Sequence, residues 1–336
     1  MTPESRVRRE KFLRDWRDPV ATRPAATILL MRDGPQGPEV LMTRRSANAS
    51  FAPGAFVFPG GVVDSLDGSS AARAVIASRI DQPPDLLDFA TAAVREAFEE
   101  LGVLLARPSR AGVDPAEVAA RMSRHDDGGF YDRVAAEGLT LALDEVYWLS
   151  RWVTDRDMPK RFDTQFFVAR MPEGQHPVAD EGEQFEPTWV LPQDALERHE
   201  RGGFDMIFPT IRTLRALTRY ESVDALLRHC EENPGNWLSC PRAGLLRGDV
   251  TRFSEDELPF GELELVSPDG QIVHALDWQH ERAVPLLRHV QRLTAPNPGR
   301  MTGPGTNTYI IGEPGDYLVI DPGPDEPAHI ERIAAI

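Results

Sequence analysis

The 336-residue chain carries 53 acidic against 37 basic side chains, a formal charge of −16, which argues against a surface built for nucleic-acid phosphates or an anionic membrane. A negatively charged small-molecule substrate would therefore need a local basic pocket. Two cysteines, Cys230 and Cys240, are too few for a disulfide framework. No apolar run reaches the ~18 residues of a membrane helix, and the charged N-terminus lacks the apolar stretch of a secretory signal. The expectation is a cytoplasmic protein with ordinary thiols in a reducing compartment.

Residues 1–18 are highly charged and read as a loosely docked lead-in. Ala25 to Met31 and Glu39 to Thr43 have strand length and composition, with turn signals at Asp33-Gly34-Pro35 and Gly37-Pro38. Arg44 and Arg45 leave the second strand, where a basic side chain could meet a phosphate. Phe58-Pro59 then runs into the tight turn of Gly60 and Gly61. Ser65 to Leu87 predicts a short helix around Ala71 to Ile80, ended by Pro83-Pro84, with Asp85 or Asp88 capping the helix that follows.

That next helix centres on Ala93 to Val103. Ala90, Val94, Ala97, Phe98 and Leu101 form an apolar stripe, and Gly102 is a natural stop. Glu96, Glu99 and Glu100 stand at i, i+3 and i+4 and share another face. Like charges at that spacing weaken a helix unless a cation sits among them. Taken alone, such a run is more often a solvated acidic face; the glycine turn upstream favours the functional reading.

Residues 106–143 read as polar and helix-compatible, with Asp114-Pro115 as a helix start and Asp126 to Gly129 as a loop; no chemistry is assigned to them. Glu145 to Thr154 and Arg161 to Arg170 predict two strands, and Arg161 and Asp163 are read as structural. A further strand carries Trp189, with a helix from Gln193 after Pro192. Two amphipathic helical stretches run from Phe208 to about Cys230. From Asn233 the texture turns to Pro, Gly and Trp, and Gly261–Val266 with Gln271–Ala275 predicts a hairpin about Ser267-Pro268-Asp269-Gly270. Asn307 to Gly312 and Tyr317 to Ile320 are apolar strand-length runs, the second ending in Asp321-Pro322-Gly323-Pro324.

Gly60-Gly61 together with Arg95-Glu96-Ala97-Phe98-Glu99-Glu100-Leu101-Gly102-Val103 resembles the Nudix box, G-x5-E-x7-R-E-U-x-E-E-x-G-U. The second half matches at every fixed position. In the ordinary box the arginine lies 14 positions after the second glycine; here Gly61 and Arg95 are 34 apart, so an insertion of about 20 residues splits the box. Asp67 falls at the early glutamate position, with Asp64 just before it. An insertion within the box is a feature of the acyl-CoA diphosphatase branch typified by mammalian Nudix motif 19, which also has VFPGG and REAFEE-x-GVLL as at Val57–Gly61 and Arg95–Leu105. Leu41 to Ser46, Gly54 and Phe58 to Gly61 resemble the signature preceding the box in CoA diphosphatases, with Ser50 replacing its second arginine. Separately, Ala295-Pro296-Asn297-Pro298-Gly299, Gly305 to Tyr309 and Ile320 to Pro324 resemble the first strands of a metallo-β-lactamase-fold domain. The HxHxDH metal motif of that family is absent from the chain.

The resemblances imply an α/β fold, a Nudix α/β/α sandwich with a mixed sheet, over residues 19–232, its box split by the insertion at 65–87. They imply a connecting hairpin region at 233–289 and the truncated start of an αββα metallo-β-lactamase-like domain at 290–336. They further imply Mg²⁺ or Mn²⁺ held by Glu96, Glu99 and Glu100, with Glu96 as ligand or general base. Arg95 would orient a glutamate, Arg44 and Arg45 would meet substrate, and Gly60 and Gly61 would shape the turn. Glu183, six before Trp189, is the position of a further metal ligand or base, with Glu186 as its competitor. The expected reaction is hydrolysis of CoA or acyl-CoA to 3′,5′-ADP and 4′-phosphopantetheine. ADP-ribose, a dinucleotide, or a non-catalytic Nudix-fold module are the alternatives. The expected partner is a small-molecule diphosphate, with neither nucleic acid nor membrane, and a homodimer is the further assembly considered.

Overall fold

The computed structural model describes residues 9–49, 52–79, 82–124, 129–180 and 184–336, apart from the side chains of Pro84 and Gln184. The chain divides into two compact units, one of Thr22–Val153 with Phe162–Ser239, the other of the N-terminal segment, Thr154–Arg161 and Cys240–Ile336. Among the described residues no helix is long and apolar enough to cross a membrane.

The first unit opens with β1 (Thr22–Gly34) and β2 (Gly37–Arg45), an antiparallel hairpin closed at Gly34 and Gly37, as the turn signals predict. Short strands β3 (Phe56–Val57) and β4 (Gly60–Val62) add to β2 and β1 respectively. A 3₁₀ turn at Ser65–Gly68 leads into α1 (Ser70–Ala74) and β5 (Ile76–Ala77). The helix expected over Ala71 to Ile80 is thus cut short. Val75 and Ile76 are β-branched, and this stretch joins β7 instead, the Val75 carbonyl accepting from Leu141 N–H at 2.7 Å.

The long helix α2 spans Pro84–Leu101. Neither Asp85 nor Asp88 caps it. Pro83 is the cap and makes no side-chain bond, Pro84 occupies the first turn where no N–H is needed, and Asp88 instead accepts from Arg73. Gly102 ends the helix at φ 66°, donating to the Phe98 carbonyl at 2.8 Å. Then come β6 (Ala106–Pro108), α3 (Pro115–Arg121) capped by Asp114, α4 (Phe130–Ala136), and β7 (Leu139–Ala142), which lies between β5 and β6 in a small sheet.

Strands β8 (Tyr147–Val153), β9 (Arg161–Arg170) and β10 (Gln184–Val190) follow, with α5 (Pro192–Glu200), α6 (Phe208–Leu217), α7 (Val223–Glu232) and β11 (Trp237–Ser239). The main sheet runs β10-β2-β1-β9-β8-β11, and it is mixed because β11 joins β8 in parallel. Alternation along β1 sends Ala26, Ile28 and Leu30 to the face covered by α2 and Leu29 and Met31 to the face covered by α5–α7. Both cores are closed by these apolar sets, giving the expected α/β/α layering. Asp163 is held by Arg151 at 2.6 and 2.8 Å, and Arg161 donates to the backbone of Thr154 and Asp155.

In the second unit, residues 9–21 include buried Phe12. Hairpin β12 (Arg242–Leu246) with β13 (Asp249–Phe253) is followed by α8 (Leu258–Val266), then a four-stranded antiparallel sheet of β14 (Val284–Leu287), β15 (Val290–Thr294), β16 (Asn307–Glu313) and β17 (Asp316–Ile320), and α9 (Pro327–Ala334). The hairpin expected about Ser267–Gly270 is not formed. Its turn is present, with Gly270 N–H bonded to the Ser267 carbonyl at 2.9 Å, but Gly261–Val266 is helical. Pro259 lies in the first turn of the helix, and Leu263 and Val266, three apart, bury one face while Leu265 is exposed.

Candidate active site

Helix α2 buries Ala90, Ala93, Val94, Ala97, Phe98 and Leu101 completely, and this fixes its rotation against β1. Burial of a phenylalanine or leucine side chain contributes about 1.5–3 kcal/mol, so the stripe outweighs the repulsion among the glutamates on the other face. That face meets the turn between β3 and β4. Glu100 is buried and accepts the Gly60 N–H at 3.0 Å. Gly60 itself has φ +155°, and a Cβ there would run into the Ala26 carbonyl. At Gly61 a Cβ would stand 2.5 Å from the carboxyl carbon of Glu96. The two glycines thus let the turn close on two of the expected carboxylates.

Arg95 stands at the middle of the cluster. Its Nε and Nη2 donate to Asp67 at 2.8 and 3.1 Å, and Nη1 donates to Glu96 at 2.8 Å and Glu99 at 2.7 Å. Of the two acids near the early box position, Asp67 reaches the arginine, whereas Asp64 caps the 3₁₀ turn, its side chain accepting from Leu66 N–H. Asp67 is fully buried and also accepts from Asp64 N–H at 2.7 Å and from the hydroxyl of Tyr131. Tyr131 comes from α4, a stretch that sequence reasoning left without chemistry.

Electrostatics follow from this crowding. Burial opposes the charge on Arg95, but the hydrogen bonds to Asp67 and the fields of Glu96 and Glu99 outweigh it and hold the guanidinium charged. Burial, reinforced by Glu99, pushes the Glu96 carboxyl up to about 7 despite Arg95. Burial and the Asp67 charge raise the Tyr131 phenol, which stays a donor.

Three carboxylates (Asp67, Glu96 and Glu99) hold Arg95, and Glu100, one position along the helix from Glu99, is tied to Gly60 N–H. The donor chemistry fits Mg²⁺ or Mn²⁺, which take hard oxygen ligands. Among the described residues no three acidic, histidine or cysteine side chains already converge as a metal cage. Glu96 and Glu99 turn toward Nη1 of Arg95, the cation within reach, and would have to re-aim to hold a metal ion.

The remaining expected residues lie apart from that cluster. Arg44 is exposed at the end of β2 and pairs with Glu186 at 2.6 Å, so Glu186 engages a base rather than the acidic cluster. Arg45 ends the same strand. Glu183 and Ser50 lie outside the described residues.

The chain is 28% identical over 241 residues to the human protein named acyl-coenzyme A diphosphatase NUDT19, covering 58% of this chain and 64% of that one. It is 26% identical over 206 residues to a putative nudix hydrolase 7 of Caenorhabditis elegans, 60% of this chain and 62% of the relative. The chain thus spans a little under two thirds of the length of these two relatives. Over 335 residues it is 26% identical to the chicken acyl-coenzyme A diphosphatase NUDT19, covering 79% and 86%. Among solved structures, a NUDIX hydrolase from Alicyclobacillus acidocaldarius is 31% identical, with a TM-score of 0.54 over 62% of this chain and 96% of that one. Residues 21–208, more than half the chain and the whole of the Arg95 cluster, match the NUDIX domain, and the chain belongs to that family.

Proposed function

We propose that this chain is a divalent-metal-dependent diphosphatase acting on CoA or acyl-CoA. The observation that carries the reading is the crowding of Asp67, Glu96 and Glu99 around Arg95, with Glu100 on the adjoining Gly60 N–H. Glu96, Glu99 and Glu100 would hold Mg²⁺ or Mn²⁺, which when bound neutralises diphosphate oxygens and acidifies a water. Arg95, anchored on Asp67, keeps Glu96 and Glu99 on one side of the helix. Glu96, whose carboxyl burial pushes up to about 7, would serve either as that ligand or, instead, as the general base for an attacking water. Arg44, tied by a solvent-exposed ion pair that exchanges easily, would release Glu186 for a substrate phosphate. The choice of CoA over other diphosphates is supported by the split box, the signature around Leu41–Gly61 and the names of the human and chicken relatives.

For residues 290–336 we read the start of a metallo-β-lactamase-like fold, on the sequence runs quoted above and the pairing of β16 with β17.

The test is Mg²⁺- or Mn²⁺-dependent release of 4′-phosphopantetheine and 3′,5′-ADP from CoA by the parent protein and by Glu99→Gln. The reading expects turnover in the parent and its loss in the variant. Unchanged turnover in the variant rejects the ligand assignment; parent activity on ADP-ribose or a dinucleotide but not on CoA rejects the substrate.

A further inference from the structure

We infer that Tyr131 is a positioning residue of this site, acting through Asp67 on Arg95, an inference that rests on the metal-dependent reading above. Tyr131 is buried on α4 and donates its hydroxyl to Asp67 Oδ1, the oxygen that also accepts Arg95 Nε at 2.8 Å. Asp67 Oδ2 accepts Arg95 Nη2 at 3.1 Å and Asp64 N–H at 2.7 Å. A fully buried carboxylate is costly unless its lone pairs are filled, and four donors fill this one. The outcome is an Asp67 with a fixed plane. Its two oxygens grip the Nε–Nη2 edge of the guanidinium, and a planar group held along one edge cannot turn. Nη1 is then directed at Glu96 Oε1 and Glu99 Oε2.

The hydroxyl is as well fixed as its acceptor. The Tyr131 ring meets Phe130 edge-on at 5.1 Å between centroids, and Phe130 in turn packs on Phe98 of α2 at 5.6 Å. The core beneath the acidic helix therefore sets where the phenol points. A buried tyrosine that only needed an acceptor could have used a backbone carbonyl; here it completes the coordination of the acid that pins the arginine. Removing the hydroxyl leaves Asp67 Oδ1 with one donor fewer and lets the guanidinium rock. Glu96 and Glu99 are then less well placed when they exchange Nη1 for a metal ion.

The experiment is Mn²⁺ binding to the full chain, read by the loss of the free-ion electron paramagnetic resonance signal, in the parent, Tyr131→Phe and Phe130→Leu. Tyr131→Phe keeps the ring and is expected to weaken Mn²⁺ about tenfold. Its kcat on CoA at saturating metal should fall by a similar factor while KM stays within about twofold. Phe130→Leu loses the packing that aims the phenol but keeps the hydroxyl, so it should lower the melting temperature and weaken Mn²⁺ less than Tyr131→Phe. Asp67→Asn, which removes the acceptor charge, should weaken Mn²⁺ at least as much as Tyr131→Phe and serves should the latter fold poorly. Equal Mn²⁺ affinity in the parent and in Tyr131→Phe overturns the role of the tyrosine and leaves the metal reading standing. A parent that binds no Mn²⁺ overturns both.

Discussion

The carboxyl carbon of Glu96 occupies the space that a side chain on Gly61 would need, 2.5 Å from the position of the absent Cβ. Gly60, its neighbour, is constrained differently, by φ +155° and by the backbone of β1 at Ala26 and Thr27. The two glycines should therefore fail in different ways. Gly60→Ala must move a strand and is expected to cost roughly 2 kcal/mol or more of stability. Gly61→Ala needs the far end of one glutamate to shift, so its melting temperature should stay within a few degrees while turnover falls about 10–100-fold. Thermal melts and steady-state rates on the two variants check this. Equal stability losses in both would mean that the turn is a structural element without a special bearing on Glu96.

Arg44 and Glu186 form an exposed ion pair at 2.6 Å, with side chains 44% and 57% exposed. Such a pair is worth about 0–1 kcal/mol, so it competes weakly with a phosphate. Glu186→Gln should free the arginine and lower KM for the diphosphate substrate about two- to fivefold. Arg44→Ala should raise KM, and kcat should change little in either variant. A change confined to kcat would place Arg44 in the chemical step instead.

What could be read from the sequence was whatever depends on spacing within one element. The stripe Ala90–Leu101, the stop at Gly102 and the bounds of β9 all follow from local rules, and the structure has them, whereas the glycine pair expected as a turn opens β4, paired with Thr27 and Ala26. What could not be read depends on which side chains meet across distance. That Asp67 rather than Asp64 meets Arg95 is a contact across 28 positions, and Tyr131 is 64 positions from its acceptor. An aromatic residue in a polar stretch offered no signal beyond its composition. The helix at Leu258–Val266 was misread for a related reason. Its Glu262 faces His274 and Arg292 across the unit, so a polar residue on a half-buried face imitates the alternation of a strand.

The two cysteines should differ sharply in reactivity. Cys230 lies in the core of the first unit, and burial pushes its thiol up to about 12. Cys240 is partly exposed, with the Arg242 guanidinium 3.0 Å from its sulfur. Since the thiolate is the reacting form, a disulfide reagent at pH 8 should titrate a single thiol in the native protein and the second on unfolding. Cys240→Ser should abolish the fast phase. Rapid labelling of both thiols in that native-state assay would mean that the packing around α7 opens readily.

Asp155 offers a test of sign. It is buried 97%, and burial together with the charge of Asp157 holds its carboxyl well above the ordinary range. The opposing groups are the Arg156 N–H at 2.6 Å and Arg252, whose closer contact goes to Asp157 while Asp155 is 3.6 Å away. An acid whose native pKa is raised binds its proton more tightly when folded. Its contribution to stability is therefore complete below the ordinary carboxylate value of about 3.9 and is lost as the pH climbs through the raised native value. Asp155→Asn mimics the protonated form at every pH. Urea midpoints of the parent and the variant should be close at acid pH, and the variant should gain on the parent as the pH rises toward 8. If the parent gains on the variant instead, Arg252 outweighs burial and the Asp157 repulsion, and the carboxylate is a net stabiliser.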